Sequence, residues 1–257
     1  MSEKNPPAAA GLDKQPEEVS GMFDQVAARY DLTNDVMTFG QHRIWRRCLR
    51  QVVAPRPGQK ILDIAAGTGT SSLSFYRAGA EVTCCDFSPG MVAEGQKRHS
   101  ELNFVVADAH DLPFADQSFD TVTCSFGFRN MHDPAKALRE FARVTKPGGK
   151  LAIMEFSTPP SPLIARLYQL YMRKVLPTAG RLVSSDSDAY TYLFDSILDW
   201  PDQETLGHLI QANGWGEVSY RNLTLGVVAI HRAFKEDISA KRPLAPRVVA
   251  GKYEGFP

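Results

Sequence analysis

The sequence lacks any apolar run long enough to cross a bilayer, and its amino terminus, Met-Ser-Glu-Lys-Asn-Pro-Pro, has no apolar core. We therefore expect neither a membrane-spanning helix nor a signal peptide, and a soluble cytoplasmic protein. Net charge is also lacking, because 29 basic residues balance 29 acidic ones. This balance gives no indication of a nucleic-acid partner.

Cysteine is scarce, with four residues in a chain of 257. No two of them have the spacing of a zinc site or a redox motif, and no cluster of His, Cys and acidic residues has metal-ligand spacing. We therefore expect the cysteines to be small, reduced core residues of a protein in a reducing compartment, and we expect no bound metal. The cysteines are Cys48, Cys84, Cys85 and Cys124.

What the sequence does contain is a strand that runs into a glycine turn. Residues 60–70 read KILDIAAGTGT, an apolar run followed by Gly67-Thr68-Gly69 and then by a predicted helix, Ser71–Arg77. Strand, glycine turn and helix form a ligand site at the carboxyl ends of parallel strands, where glycine allows positive φ and close approach. A purely structural tight turn is the alternative for so short a motif.

The first acidic residue to end a strand after the glycine turn indicates a nucleotide-binding site. Asp86 ends a second predicted strand roughly 20 residues beyond the glycines, where doubly wound folds place the acid that binds ribose hydroxyls. A dinucleotide fingerprint needs a third glycine, and Gly67–Ser72 has none. Asp63, interpreted as lying inside the turn, would repel a pyrophosphate but suits an ammonium group. We therefore favour S-adenosylmethionine over a nicotinamide cofactor, with an NAD oxidoreductase as the rival.

Strands alternate with helices along most of the chain, which predicts an α/β protein with a mainly parallel sheet and a closing antiparallel hairpin. We expect one domain over 16–234, with a helical cap at 16–55 and a substrate-cap insertion at 156–200. A disordered segment, 1–15, would precede it, and a tail, 235–257, would follow. The predicted strands are Lys60–Ile64, Glu81–Cys85, Phe104–Ala107, Phe119–Cys124, Lys150–Glu155, Glu217–Leu223 and Val227–Phe234.

Two predicted helices have unusual surfaces. The helix around Arg43–Val53 carries four arginines on one face, most simply a solvated surface. Leu163–Leu176 is amphipathic, and it is either a core-packing helix or an interfacial helix that contacts a membrane or a lipid tail.

Two longer stretches carry a resemblance to a known family. Tyr30–Trp45 (YDLTNDVMTFGQHRIW) and Arg143–Ser157 (RVTKPGGKLAIMEFS) resemble the two patterns of the ubiquinone/menaquinone biosynthesis C-methyltransferases, which are class I S-adenosylmethionine-dependent methyltransferases. The resemblance extends from Val19 to about Phe234, with support from Ser125–Asn130 and Asn222–His231. Thr33, Thr38 and Thr145 depart from the family's usual Met, Ser and aliphatic residues.

The resemblance implies a Rossmann-like fold with a seven-stranded sheet and helices on both faces. It also implies methyl transfer from S-adenosylmethionine to a ring carbon of a polyprenyl quinol, most like the branch that converts demethylmenaquinol to menaquinol. A benzoquinol of the ubiquinone pathway, another small or lipid-like acceptor, and a binding module without turnover are the alternatives. A bilayer-resident acceptor further implies transient contact with the inner face of the cell membrane, and a homodimer is possible for such an enzyme.

Carried over by position, the family pattern implies roles for individual residues. Thr68 and the glycines would hold the methionine end of the cofactor, Asp86 the ribose, Phe87 an adenine face, Asp108 the adenine amino group, and Ser125 would lie near the sulfonium. The chemistry of the reaction, rather than the family pattern, suggests Arg129 to stabilise the phenolate of the acceptor, with His132, His231 or Asp31 to take its proton directly or through water. The predicted cofactor-binding residues are Tyr30, Asp63, Gly67, Thr68, Gly69, Asp86, Phe87, Asp108, Ala109 and Ser125.

Overall fold

The computed structural model describes Gly21, Thr38 and residues 40–174, 195–236 and 249–250. Several predictions lie outside these residues: the disordered segment 1–15, the helix from Val19 to Tyr30, the site residues Tyr30 and Asp31, the middle of the insertion and most of the tail.

The sheet confirms the predicted α/β architecture. Its strand order is β3-β2-β1-β4-β5-β7-β6-β8, with β1 to β5 parallel and β7 antiparallel to both β5 and β6. All seven predicted strands are present, and a two-residue strand in the predicted tail, β8, extends the sheet beside β6. The strands are β1 (Lys60–Ile64), β2 (Glu81–Asp86), β3 (Asn103–Val106), β4 (Phe119–Ser125), β5 (Thr145–Phe156), β6 (Trp215–Leu223), β7 (Val228–Lys235) and β8 (Val249–Ala250).

The strand β5 is longer than predicted. The segment Lys146–Gly149, expected as a turn, lies inside β5, where the register with β4 shifts and Gly148 has a φ of 70°. The Pro-Gly-Gly segment therefore makes an irregular stretch of strand rather than a separate turn.

Helices cover both faces of the sheet, as expected for parallel strands. One core joins α1, α2 and α3 to one face, and a second core joins α4 and α6 to the other. Ser88 caps α3 as predicted, accepting a hydrogen bond from the Met91 amide at 3.0 Å with Pro89 at the first helical position. The helices are α1 (Gln41–Val53), α2 (Thr70–Tyr76), α3 (Pro89–Arg98), α4 (Pro134–Val144), α5 (Pro162–Lys174) and α6 (Gln203–Gln211). None of the helices in the described ranges is long and apolar enough to span a bilayer.

The strand order reverses between β1 and β4, and this is where an open α/β sheet forms its ligand crevice. The loops that follow these two strands touch each other. A Cβ atom added to Gly127 would lie 2.2 Å from the Cβ of Ala65, so only glycine allows this approach. The loops after β1 and β4 are thereby held against each other at the carboxyl edge of the sheet.

Candidate active site

The glycine turn after β1 has the backbone that its sequence predicts. Gly67 and Gly69 have φ values of 56° and 80°, and Ala65 also has a positive φ. A Cβ on Gly69 would lie 2.7 Å from the Phe104 ring, so this position needs glycine for both conformation and space. The Thr68 side chain is buried, with its hydroxyl 3.2 Å from that of Thr70.

Asp63 lies within β1 rather than inside the turn, and its side chain is fully buried. Its Oδ2 accepts a hydrogen bond from the Ser72 hydroxyl, and its Oδ1 has no hydrogen-bond partner among the described residues. Ser72 occupies the position of the third glycine in a dinucleotide fingerprint. Burial is the main cause that raises the pKa of Asp63 to about 7. The serine thus links α2 to β1 through a hydrogen bond that a glycine could not make.

Asp86 ends β2, and its carboxylate is hydrogen-bonded to the backbone of the glycine turn. Its Oδ2 accepts from the Gly67 amide at 2.7 Å and its Oδ1 from the Ser88 amide at 2.9 Å. A carboxylate that ends a strand beside the glycine turn suits the hydroxyl donors of a ligand. Phe87, the next residue, has an exposed side chain.

Asp108 follows β3 and is paired with a histidine that sequence reasoning missed. Its Oδ1 accepts from the His110 amide at 2.9 Å and from His110 Nδ1 at 2.6 Å. The other ring nitrogen of His110 accepts from the Asp133 amide at 3.3 Å, which fixes the tautomer. Partial burial is the largest single influence and raises the pKa of Asp108, but the two hydrogen bonds from His110 act in the opposite direction and the net shift is downward.

The ring of His132 lies against that of His110. Its ring centroid is 3.9 Å from that of His110, and its side chain is exposed. Ala109, between Asp108 and His110, is buried in the core. The predicted base His132 is therefore next to the predicted adenine-binding carboxylate.

The ends of β4 and β5 carry aromatic side chains. Ser125 ends β4, and Phe126 follows with a φ of 58°, an unusual value for a residue with a side chain. The rings of Phe126 and Phe156 are 5.0 Å apart, and Trp45 of α1 lies 5.7 Å and 6.3 Å from them. We call Trp45, Phe126 and Phe156 the aromatic cluster.

Arg129 is buried beside this cluster in an ion pair. Its Nη1 donates to Glu155 Oε1 at 2.9 Å and to the Phe126 carbonyl at 2.6 Å, and its Nε donates to Ser196 Oγ at 3.4 Å. The guanidinium carbon lies 5.3 Å from the Phe156 ring centroid. Glu155, the penultimate residue of β5, was not predicted as a site residue, and it balances the arginine's charge. An acid at a strand end is the same signal that pointed to Asp86.

His231 lies on β7 opposite Ile153, inside the sheet rather than at its edge. Its Nε2 donates to the Gln203 carbonyl at 2.8 Å, and burial lowers its pKa to about 4. These contacts give His231 a structural position away from the strand ends. Within the described ranges, no group of three or more His, Cys, Asp or Glu side chains is arranged to hold a metal ion.

Comparison with known proteins decides the family. The profile of the ubiE/COQ5 methyltransferase family matches residues 12–235. The chain belongs to the ubiE/COQ5 methyltransferase family. It is 56% identical over 224 residues to a demethylmenaquinone methyltransferase of Streptomyces griseus, covering 87% of this chain and 97% of the relative. The corresponding protein of Corynebacterium efficiens is 52% identical over 228 residues, covering 89% and 98%.

A solved structure with this fold is a methyltransferase of Thermotoga maritima, described as S-adenosylmethionine-dependent and as a possible histamine N-methyltransferase. It superposes with a TM-score of 0.61 at 20% identity and covers 84% of this chain and 99% of its own. At this identity the likeness extends to the fold alone.

S-Adenosylmethionine is the cofactor of this family, and the residues present fit it. The carboxylates of Asp86 and Asp108 suit hydroxyl and amino donors, and Asp63, four residues before Gly67, has an Oδ1 without a hydrogen-bond partner among the described residues. The serine in place of the third glycine argues against a dinucleotide.

Proposed function

We propose that this protein methylates a ring carbon of demethylmenaquinol, a polyprenyl quinol, to give menaquinol. Two relatives that match it over nearly their whole length are named demethylmenaquinone methyltransferase. The observation that carries the proposal is the pairing of two half-sites at one edge of the sheet. Acceptor carboxylates follow β2 and β3, and an aromatic cluster follows β4 and β5.

The first half-site would hold the cofactor, which supplies an electrophilic methyl group on a positively charged sulfur. Gly67, Thr68 and Gly69 would contact its methionine end, and Tyr30 is proposed beside them. Asp86 would accept from the ribose hydroxyls, and Asp108 with Ala109 would bind the adenine, with Phe87 against its face. Ser125, at the end of β4, would lie between the two half-sites.

The second half-site would hold the acceptor ring. A quinol is electron-rich, whereas the oxidised quinone is itself electrophilic, so the reduced form must be the substrate. Phe126 and Phe156 offer ring faces for stacking. Holding the ring carbon in line with the methyl group can contribute roughly 7–11 kcal/mol to the rate.

A phenol titrates near pKa ~10, so the site must stabilise the phenolate or supply a base. Arg129 is proposed to stabilise the phenolate, with Glu155 fixing the direction of its guanidinium. Because Glu155 also neutralises part of the charge, we expect a smaller effect than an unpaired arginine would have. His132 or Asp31 is proposed to take the proton, directly or through water.

The helix α5 would connect the acceptor site to the bilayer. Tyr168, Tyr171 and Met172 pack with Phe156 of the aromatic cluster. The opposite stripe is solvent-exposed: Leu163, Leu167 and Leu170 have 68%, 58% and 50% of their surface exposed. Such a helix suits transient binding to a membrane surface, and the same stripe is a candidate homodimer contact.

Methyl transfer from labelled S-adenosylmethionine under anaerobic conditions tests the proposal. We expect label in reduced demethylmenaquinol and none in the oxidised quinone. The matching benzoquinol of the ubiquinone pathway is the control acceptor. Faster labelling of that benzoquinol would move the assignment to the other branch, and no labelling of either quinol would refute it. Flotation with liposomes tests membrane contact, and no co-migration in the presence of quinone would count against it.

A further inference from the structure

A concave basic surface lies outside the half-sites described above. It is a cleft of about 680 Å³ between α1, α2 and the carboxyl-terminal end of α3. None of its described lining residues is acidic. We call it the arginine cleft, after the six arginines that line it: Arg43, Arg46, Arg47, Arg50, Arg77 and Arg98.

The convergence of these arginines differs from a solvated helix face. Four of them lie on α1, which the sequence alone explains as ordinary surface. Arg77 and Arg98, however, come from the ends of two other helices, and His42 and His99 add imidazoles to the same cleft. A chain with no net charge has thus concentrated positive charge from three elements in one concavity.

Two of the six arginines, Arg47 and Arg77, differ from the others in their local contacts. Arg98 is paired with Glu94 at 2.8 Å, and Arg50 donates to the Ser74 carbonyl at 3.3 Å. Arg47 and Arg77 are exposed and make no hydrogen bond or ion pair with any residue that the structure describes. Guanidinium groups bind phosphate in a bidentate fashion, so a phosphate-bearing ligand matches the cleft chemically.

We propose that the arginine cleft binds the phosphate headgroups of anionic phospholipids. Exposed apolar side chains adjoin it in sequence, Ile44 next to Arg43 and Tyr76 next to Arg77, and a soluble phosphate would not need them. Clusters of four to eight basic residues are typical of surfaces that bind anionic lipids. The inference rests on the proposed function, because an acceptor with a polyprenyl tail requires the enzyme to work at a bilayer.

The test is sedimentation of the full-length protein with vesicles of phosphatidylcholine, with and without phosphatidylglycerol. Arg47→Gln/Arg77→Gln removes two charges that hold no described residue in place. Since each basic residue contributes roughly fivefold to binding an anionic surface, we expect the double variant to bind about 25-fold more weakly. Arg56→Gln/Lys136→Gln removes two exposed charges from outside the cleft and is the matched control, expected to stay within about twofold of the parent protein.

Three results would overturn the proposal. The first is equal binding to vesicles without phosphatidylglycerol, or equal loss in the two double variants. The second concerns inorganic pyrophosphate, measured by calorimetry. If pyrophosphate binds tightly and this binding depends on Arg47 and Arg77, while vesicle binding does not depend on them, the cleft binds a soluble phosphate instead. The third is displacement of vesicles by saturating S-adenosylmethionine, because Thr70 at one end of the cleft lies close to the glycine turn. Sedimentation needs neither cofactor nor acceptor, so its failure leaves the methyl-transfer proposal to its own assay.

Discussion

The two halves of the carboxyl edge use charge in opposite ways. At the ends of β2 and β3, the carboxylates of Asp86 and Asp108 are held in place by backbone amides and a histidine. After β4 and β5, Arg129 and Glu155 are buried against each other, and the surrounding surface is aromatic.

This difference teaches how one sheet edge can hold two unlike molecules. Carboxylate acceptors held in fixed positions suit the hydroxyl and amino groups of a nucleoside. A neutralised ion pair beneath aromatic rings suits an apolar ring that carries phenolic oxygens. The methyl group would pass between the halves near Ser125 and the contact of Gly127 with Ala65.

Breaking the ion pair should have the largest effect. Arg129→Met leaves Glu155 buried without its partner, and we expect a loss of about 3–5 kcal/mol in the free energy of unfolding. Arg129→Met/Glu155→Leu should recover much of that loss, since no charge is left unpaired. Urea denaturation measures both. If the double variant regains stability and still methylates at the parent rate, Arg129 has no role with the phenolate.

Asp63 should make stability depend on pH in an unusual direction. Its folded pKa, about 7, lies above the ordinary value of 3.8, so the folded state holds a proton that the unfolded chain has lost between these values. Stability should therefore fall as pH rises from about 4 to about 7, by at most about 4 kcal/mol. Asp63→Asn should remove this component while keeping an acceptor for Ser72. Parallel pH profiles of unfolding for the two proteins would contradict the assignment.

The loop contact between the halves can be tested by adding one methyl group. Gly127→Ala should overlap Ala65 and cost about 1–3 kcal/mol, with weaker cofactor binding because the glycine turn must move. Ala65→Gly/Gly127→Ala restores the space and also suits the positive φ of residue 65. Thermal unfolding and calorimetry of the single and double variants would separate crowding from any other cause. If Ala65→Gly does not restore the stability and cofactor affinity lost in Gly127→Ala, the contact between residues 65 and 127 is not the cause of the loss.

The sequence predicted the framework well, because strand periodicity and the glycine turn are local signals. It placed Asp86, Asp108 and Ser125 at strand ends, as the structure does. It could not predict which groups pair, because Arg129 and Glu155 are 26 positions apart and meet only in the folded sheet. For the same reason it missed the hydrogen bond from Ser72 to Asp63 and the meeting of Trp45 with Phe156. The sequence also could not show that Arg77 and Arg98 lie beside the arginines of α1, because these residues are far apart in the chain.

The most direct test of the two-halves account is calorimetric titration of S-adenosylmethionine into variants of each half. Asp86→Ala should weaken binding by about 1–3 kcal/mol, the usual result of leaving hydrogen-bonding groups unpaired. Arg129→Met/Glu155→Leu should bind the cofactor as the parent protein does and should be impaired only in methylating the quinol. Unchanged affinity in Asp86→Ala, or a loss of cofactor binding confined to the ion-pair variant, would contradict the account.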